Sequence, residues 1–285
     1  MPHLAATIIF RACAVLALAL PLLAQAGLPQ SSSVPGGVAV IPLGTIPANA
    51  RQPQAWLGEQ QIFVMADGNR WYALVGLALD TPAGPHELRI TAGSETKVLI
   101  FPVSAKHYPE QRITLKDTSK VQLSAADEER ADREIAVIQG LKHHWRSTQD
   151  TDPAFRLPAE GRLGGRFGVR RFFNGEPRSP HAGLDVAVAR GTPIKASASG
   201  TVLAVDDYFF NGKTVFVDHG NGLITMYCHL DRIDVQPGEP VSKARTLGLS
   251  GKTGRATGPH LHWSVVLNGT MVDPELFITA GHRRE

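Results

Sequence analysis

Asn221-Gly222-Leu223-Ile224-Thr225-Met226-Tyr227-Cys228-His229 is the stretch on which the fold turns. Asn and Gly both tolerate positive φ, so the pair is the preferred core of a tight hairpin turn. The alternating run behind it predicts a strand with Thr225, Tyr227 and His229 on one face and Ile224, Met226 and Cys228 on the other. Further Asn-Gly pairs stand at 174–175, 211–212 and 268–269, and three of the four pairs adjoin strand-like runs. Residues 161–285 are therefore expected to form an antiparallel sheet assembled from hairpins.

On the N-terminal side, apolar or alternating runs at 38–43, 61–66, 71–79, 87–91, 97–103 and 112–115 are separated by turn residues, most clearly Asp67-Gly68-Asn69 and Pro82-Ala83-Gly84-Pro85. Strands at this density predict a small β-sandwich-like accessory domain over 34–115. Residues 123–147 predict a linker helix. Ser124 can cap it, Asp127, Glu128 and Glu129 suit its positive end, and Ala131, Ile135, Ile138, Leu141 and Trp145 make one apolar stripe. Lys142-His143-His144 reads as cations near the helix end, because adjacent helical side chains diverge by about 100° and do not share an ion. The expected fold class is mainly β: an N-terminal sandwich-like domain, a linker helix and a C-terminal antiparallel sheet domain.

Of the 285 residues, 43% are apolar and 19% charged, which excludes a disordered tail and a polytopic membrane protein. A net charge of +3 without a Lys/Arg-rich run gives no footing for a nucleic-acid partner. Arg11, the apolar run 12–24 and Ala24-Gln25-Ala26 predict a signal peptide over 1–26, cleaved near Ala26. The run falls short of the about 20 apolar residues that span a bilayer. A periplasmic or secreted chain without a stable membrane anchor is expected. Cys13 would leave with the signal, and Cys228 alone offers no internal disulfide, so folding must rest on packing, a metal, or both.

The chemistry lies in the histidines of the C-terminal domain. A spacing of two brings His260, His262 and Ser264 to one side of a strand, and a spacing of four lets His181 and Asp185 converge in either geometry. His181, Asp185 and His262 offer two imidazoles and one carboxylate, the donor set of a catalytic zinc that keeps a position for water. His229 and His260 stay outside that set and can move protons. His219 reads as local structure at a hairpin turn, and Cys228 as a buried small residue. The glycines of 251–258 read as a groove wall approaching an extended peptide closely. Arg170, Arg171 and Arg178 precede His181 and are read equally as solvated side chains or as contacts for substrate carboxylates.

His181-x-x-x-Asp185, Tyr227-x-His229-Leu230 and Gly251-x-Thr253-Gly254-x-x-Thr257-Gly258-Pro259-His260-Leu261-His262-Trp263 together resemble the M23 (LytM or lysostaphin-like) zinc metallopeptidases over roughly 167–274. Gly191-Thr192-Pro193 and His219-Gly220-Asn221-Gly222 extend the resemblance. It implies a Zn2+ endopeptidase that acts on the peptide stems of peptidoglycan, with His181, Asp185 and His262 holding zinc and His229 and His260 catalytic. His260 would take the proton of water and His229 would stabilise the oxyanion, roles that can be exchanged or shared. An Ala-, Arg- and Gly-rich exported chain makes the D-alanyl to meso-diaminopimelate crosslink the expected bond, with glycine bridges left open. A non-catalytic activator of wall amidases and a zinc protease of exported proteins are the alternatives.

Overall fold

The computed structural model describes residues 27–47, 51–114 and 123–278; the expected signal peptide lies outside them. Strands β1 (Val38–Thr45), β2 (Gln54–Leu57), β3 (Gln60–Asp67), β4 (Arg70–Gly76), β5 (Gly84–Ala92) and β6 (Glu95–Val103) form one antiparallel sheet in the order β1-β4-β3-β2-β5-β6. Ile41 of β1, Val64 of β3, Val75 of β4, Leu88 of β5 and Phe101 of β6 share a single buried cluster. The two ends of the sheet thus fold over a common interior, as in a sandwich. Alternation gives the first half a second apolar face, and Val38, Phe63, Met65 and Leu74 belong to the core of the C-terminal sheet instead.

The run at 112–115, expected as the last sandwich strand, does not join that sheet. Residues 112–113 of it end β7 (Glu110–Ile113), which pairs in parallel with β9 (Arg170–Phe173), itself antiparallel to β10 (Glu176–Arg178), and residue 115 lies outside the described residues. Alternation specifies a strand but not its partner. Helix α1 (Ala125–Lys142) begins as expected, with the Ser124 hydroxyl accepting from the Asp127 N–H at 3.2 Å. Its apolar stripe is narrower than expected: Ala131 is buried and Ile138 and Leu141 pack on Ile224, Met226 and Cys228, but Ile135 is 45% exposed. Trp145 lies beyond the helix and covers Gly222, where an added Cβ would stand 2.9 Å from the indole.

The C-terminal region contains β8 (Arg162–Leu163), β11 (Leu184–Ala187), β12 (Pro193–Lys195), β13 (Gly200–Tyr208), β14 (Gly212–Gly220), β15 (Leu223–Ile233), β16 (Pro240–Val241), β17 (Thr246–Ser250), β18 (Leu261–Leu267) and β19 (Thr270–Val272). Its main path runs β16-β13-β14-β15-β18-β11-β8; β17 pairs with β12 and β15, and β19 with β18. Each Asn-Gly pair joins two consecutive antiparallel strands. At 174–175, 221–222 and 268–269 both residues have positive φ, whereas at 211–212 only Gly212 does.

One face of this sheet, with Leu184, Tyr227, Trp263 and Leu267, packs on the N-terminal sheet as a shared core. The Asn268 amide fastens the two, donating to the Leu74 carbonyl at 2.8 Å and accepting from the Phe63 N–H at 3.0 Å. The opposite face carries the cluster under α1 and, further along, the histidines. Among the described residues no helix is long and apolar enough to cross a membrane.

Candidate functional site

The central pair of the site is set by strand register. Asp185 of β11 lies directly opposite His262 of β18, so both side chains leave the sheet on the same face. His181, buried just ahead of β11, completes a triangle: its Nε2 is 3.1 Å from Asp185 Oδ1 and 3.0 Å from His262 Nδ1, and the last two atoms are 2.9 Å apart. Tetrahedral zinc with bonds of about 2.0–2.1 Å needs donors about 3.3 Å apart. The triangle meets that spacing within a few tenths of an ångström.

The second ring nitrogen of each histidine is engaged in the way a metal site requires. His181 Nδ1–H donates to the Arg166 carbonyl at 3.0 Å, leaving Nε2 with its lone pair. His262 Nε2 is 3.0 Å from the Ser264 hydroxyl, leaving Nδ1 to face the triangle. Burial pushes the Asp185 carboxyl up, but hydrogen bonds and charge from His181 and His262 outweigh it and hold the group well below the usual carboxylate range. Burial pushes His262 down, against the pull of Asp185. Metal ligation needs an ionised carboxylate and imidazole lone pairs; Asp185 is held ionised, burial favours neutral His262, and His181 turns Nε2 to the triangle, so the donor set fits zinc. Among the described residues this is the one cluster of metal-ligating side chains whose donor atoms converge.

His229 and His260 close the other side. The ring centres of His229 and His260 are 4.7 Å apart and those of His229 and His262 6.0 Å, while His260 Nε2 is 3.8 Å from Asp185 Oδ1. Both rings are oriented through Nδ1–H, which donates to the Thr253 carbonyl in His229 and to the Gly258 carbonyl in His260, each at 2.9 Å. Burial pushes the His229 imidazole down to about 4, with His262 adding to the effect.

The alternation expected for β15 is corrected at His229. Thr225 and Tyr227 lie on the face that meets the shared core, where the Tyr227 hydroxyl accepts from the Ser197 N–H at 2.9 Å. His229 would follow them inward. Instead Cys228 and His229 together oppose the single residue Thr214 across β14, a β-bulge, and His229 takes a left-handed φ of 63°. At the same point β15 exchanges β18 for β17 as its neighbour, from Cys228 opposite His262 to Leu230 opposite Ser250. The bulge turns His229 into the opening that this change of partner creates.

The five polar groups face a cavity of about 430 Å³, whose walls include Gln111 and Ile113 of β7, Arg171 and Phe173 of β9, and Arg255, Ala256 and Thr257 of the loop before His260. Gln111, Ile113 and Arg255 carry no signal in the sequence, because their place depends on long-range pairing. Gly183 is required for space: a Cβ there would stand 2.6 Å from His262 Cε1 and Nε2. The glycines of 251–258 meet the chain itself more than a groove, since side chains on Gly251 and Gly254 would run into Asp231 and the β13–β14 turn.

Other candidates fall outside the site. His219 is buried between the Ser199 carbonyl and the Thr225 hydroxyl, each at 2.8 Å. Cys228 is buried, and burial pushes its thiol up to about 12. Arg170 pairs with Glu110 and Arg178 with Glu176.

Residues 179–274 match the profile of Peptidase family M23, and residues 31–106 that of the Peptidase family M23 N-terminal domain. A crystal structure of an M23 peptidase from Pseudomonas aeruginosa is similar over 88% of this chain and 96% of its own, with a TM-score of 0.73 and 39% identity. The peptidoglycan DD-endopeptidase ShyA of Vibrio cholerae is 37% identical over 45% of this chain and 30% of its own length. The corresponding figures for ShyC, a peptidoglycan DD-endopeptidase of the same organism, are 44%, 33% and 22%. The chain thus spans less than a third of these two curated relatives. With two profiles in order along the sequence and a structural relative alike over almost its whole length, this chain belongs to peptidase family M23.

Proposed function

We propose that this chain is a zinc-dependent peptidoglycan endopeptidase that cuts D-alanyl to meso-diaminopimelate crosslinks, working in the periplasm or outside the cell. The observation that carries the reading is the convergence of a two-imidazole, one-carboxylate triangle with two further oriented imidazoles in one open cavity. The names of ShyA and ShyC, both peptidoglycan DD-endopeptidases, support peptidoglycan as the substrate class and endopeptidase action of the D,D type.

His181 Nε2, Asp185 Oδ1 and His262 Nδ1 would hold the zinc. When bound, zinc acts as a Lewis acid toward water and the scissile carbonyl. Because Nδ1–H of His229 is committed to Thr253, its neutral ring presents a bare Nε2 to the cavity and suits a proton acceptor. The proton taken there makes Nε2–H a donor toward the oxyanion and then the leaving amine. His260, with Nδ1–H likewise committed, presents its own Nε2 from the other side and becomes a second donor once protonated. Both rings are prepared alike, so the two roles can be exchanged or shared between His229 and His260.

The test is digestion of purified sacculi by the zinc-loaded chain, with released muropeptides identified by mass spectrometry. Crosslinked dimers should convert to monomers with a free diaminopimelate amine. His229→Ala should retain stoichiometric zinc and lose turnover. Sacculi left intact by the zinc-loaded chain, or wild-type turnover by His229→Ala, would overturn the reading.

A further inference from the structure

The small β7-β9-β10 sheet turns one face to the catalytic cavity. Register puts Gln111, Arg171 and Arg178 in one row and Ile113 and Phe173 in the next, and side chains opposite one another share a face. Gln111, Ile113, Arg171 and Phe173 all line the cavity. The outer face satisfies itself, since Glu110 pairs with Arg112 at 2.8 Å and with Arg170 at 3.2 Å.

The inner face does not. Arg178 has Glu176 at 2.6 Å, but among the described residues Arg171 reaches only Asp185 Oδ2 at 3.9 Å, beyond hydrogen-bonding distance. The other oxygen of that carboxylate belongs to the donor triangle. From the opposite wall Arg255 enters the same cavity with its guanidinium 4.2 Å over the Phe210 ring. Burial, with the like charges of Arg171 and Arg178 adding to it, pushes the Arg255 guanidinium below its ordinary value. Two guanidinium groups that face one cavity, repel each other and lack a hydrogen-bonded carboxylate make a site that an anion completes.

We propose that Arg171 and Arg255 bind a free α-carboxylate on the residue that leaves with the amine, so that the chain selects peptide bonds whose amine side carries one. This inference rests on the peptidoglycan reading above and deepens it. In a D-alanyl to meso-diaminopimelate crosslink the amine-side stereocentre bears a free carboxylate, roughly 4 Å from the scissile carbonyl carbon by standard bond lengths. The carboxylate must therefore dock close to the donor triangle, which is where Arg171 stands. A guanidinium fork matches it with two parallel hydrogen bonds. A glycine bridge has no carboxylate at that position and leaves both arginines unanswered. A peptide ending in D-alanyl-D-alanine does have one, and the chain should trim it as a carboxypeptidase.

The test compares two synthetic crosslinked peptides that differ only in whether the amine-side diaminopimelate carboxylate is free or amidated. The full zinc-loaded chain should cleave the acid roughly 10- to 100-fold faster in kcat/KM, the size of a charge-assisted hydrogen-bond pair. Calorimetry with the two amine-side fragments should show the same preference in binding. Arg171→Gln and Arg255→Gln should each erode the preference and the double variant should bring it near unity, with zinc content verified throughout. Equal handling of acid and amide by the wild type overturns the proposal. So does a loss in Arg171→Gln that is equal for both peptides, which would mean that Arg171 only supports Asp185. If neither peptide is cut, the peptidoglycan reading fails, and binding still decides: an acid preference that survives both substitutions overturns the subsite.

Discussion

Replacing Gly183 by alanine perturbs the donor triangle without replacing any of its side chains. The new Cβ would lie 2.6 Å from Cε1 and Nε2 of His262 and 2.6 Å from the Ser264 hydroxyl, whereas carbon contacts settle at about 3.5–4.0 Å. The neighbours must therefore yield by about 1 Å. The imidazole cannot yield freely, because Asp185 holds it on one side at 2.9 Å and Ser264 on the other at 3.0 Å. Metal sites tolerate about 0.2 Å in ligand distance, so the ring is displaced beyond the useful range. Disturbing such support costs about 10- to 100-fold in metal affinity, or about 1.4–2.8 kcal/mol. The metal-free fold should lose about 1–3 kcal/mol from overpacking. Competition with a chromophoric chelator measures the first quantity, and urea unfolding in excess chelator the second. Gly258→Ala is the control, since a Cβ there meets nothing within 4 Å, and it should keep wild-type affinity. A folded Gly183→Ala protein that bound zinc as tightly as the wild type would refute the placement of His262 as a ligand.

Two further outcomes follow from buried groups outside the chemistry. Burial pushes His219 down to about 4, against a pull upward from the Ser199 carbonyl and Asp218; an unfolded histidine titrates near 6.5. The unfolded chain then binds the extra proton first as pH falls. The stability that depends on neutral His219 is complete above about pH 6.5 and shrinks toward pH 4, by about 3 kcal/mol. Urea unfolding of chelator-treated protein at intervals across that range should show a shallower slope for His219→Gln, and identical slopes would contradict the account. Cys228, with its thiol pushed up to about 12 by burial, should resist iodoacetamide at pH 8 in the native protein and react once unfolded, as followed by peptide mapping. Labelling of the native protein at the rate of a free thiol would contradict its burial.

Much of the C-terminal sheet was legible in the sequence because its signals are local. Asn-Gly announces a hairpin through the φ angles of two residues, and all four pairs sit in hairpin turns. The spacings His181 to Asp185 and His260 to His262 were legible for the same reason, since the period of a strand fixes which neighbours share a face. Even Ser124 was readable as a cap, because its partner lies three residues away.

The tertiary structure decided what depends on distant partners. Alternation alone sends His229 toward the core with Thr225 and Tyr227; the bulge opposite Thr214 and the change of partner from β18 to β17 turn it into the cavity. Alternation likewise marks 112–115 as extended, but only the pairing of Glu110–Ile113 with Arg170–Phe173 makes Gln111 and Ile113 a cavity wall. Arg255 acquires its meaning from Arg171, a residue far away in the chain that no local pattern connects to it. The sequence by itself determined the hairpins and the candidate side chains of the site, because dihedral preference and side-chain period act over a few residues. Strand pairing chose which of those atoms and charges meet, because it is settled by burial and backbone hydrogen bonding across the whole chain.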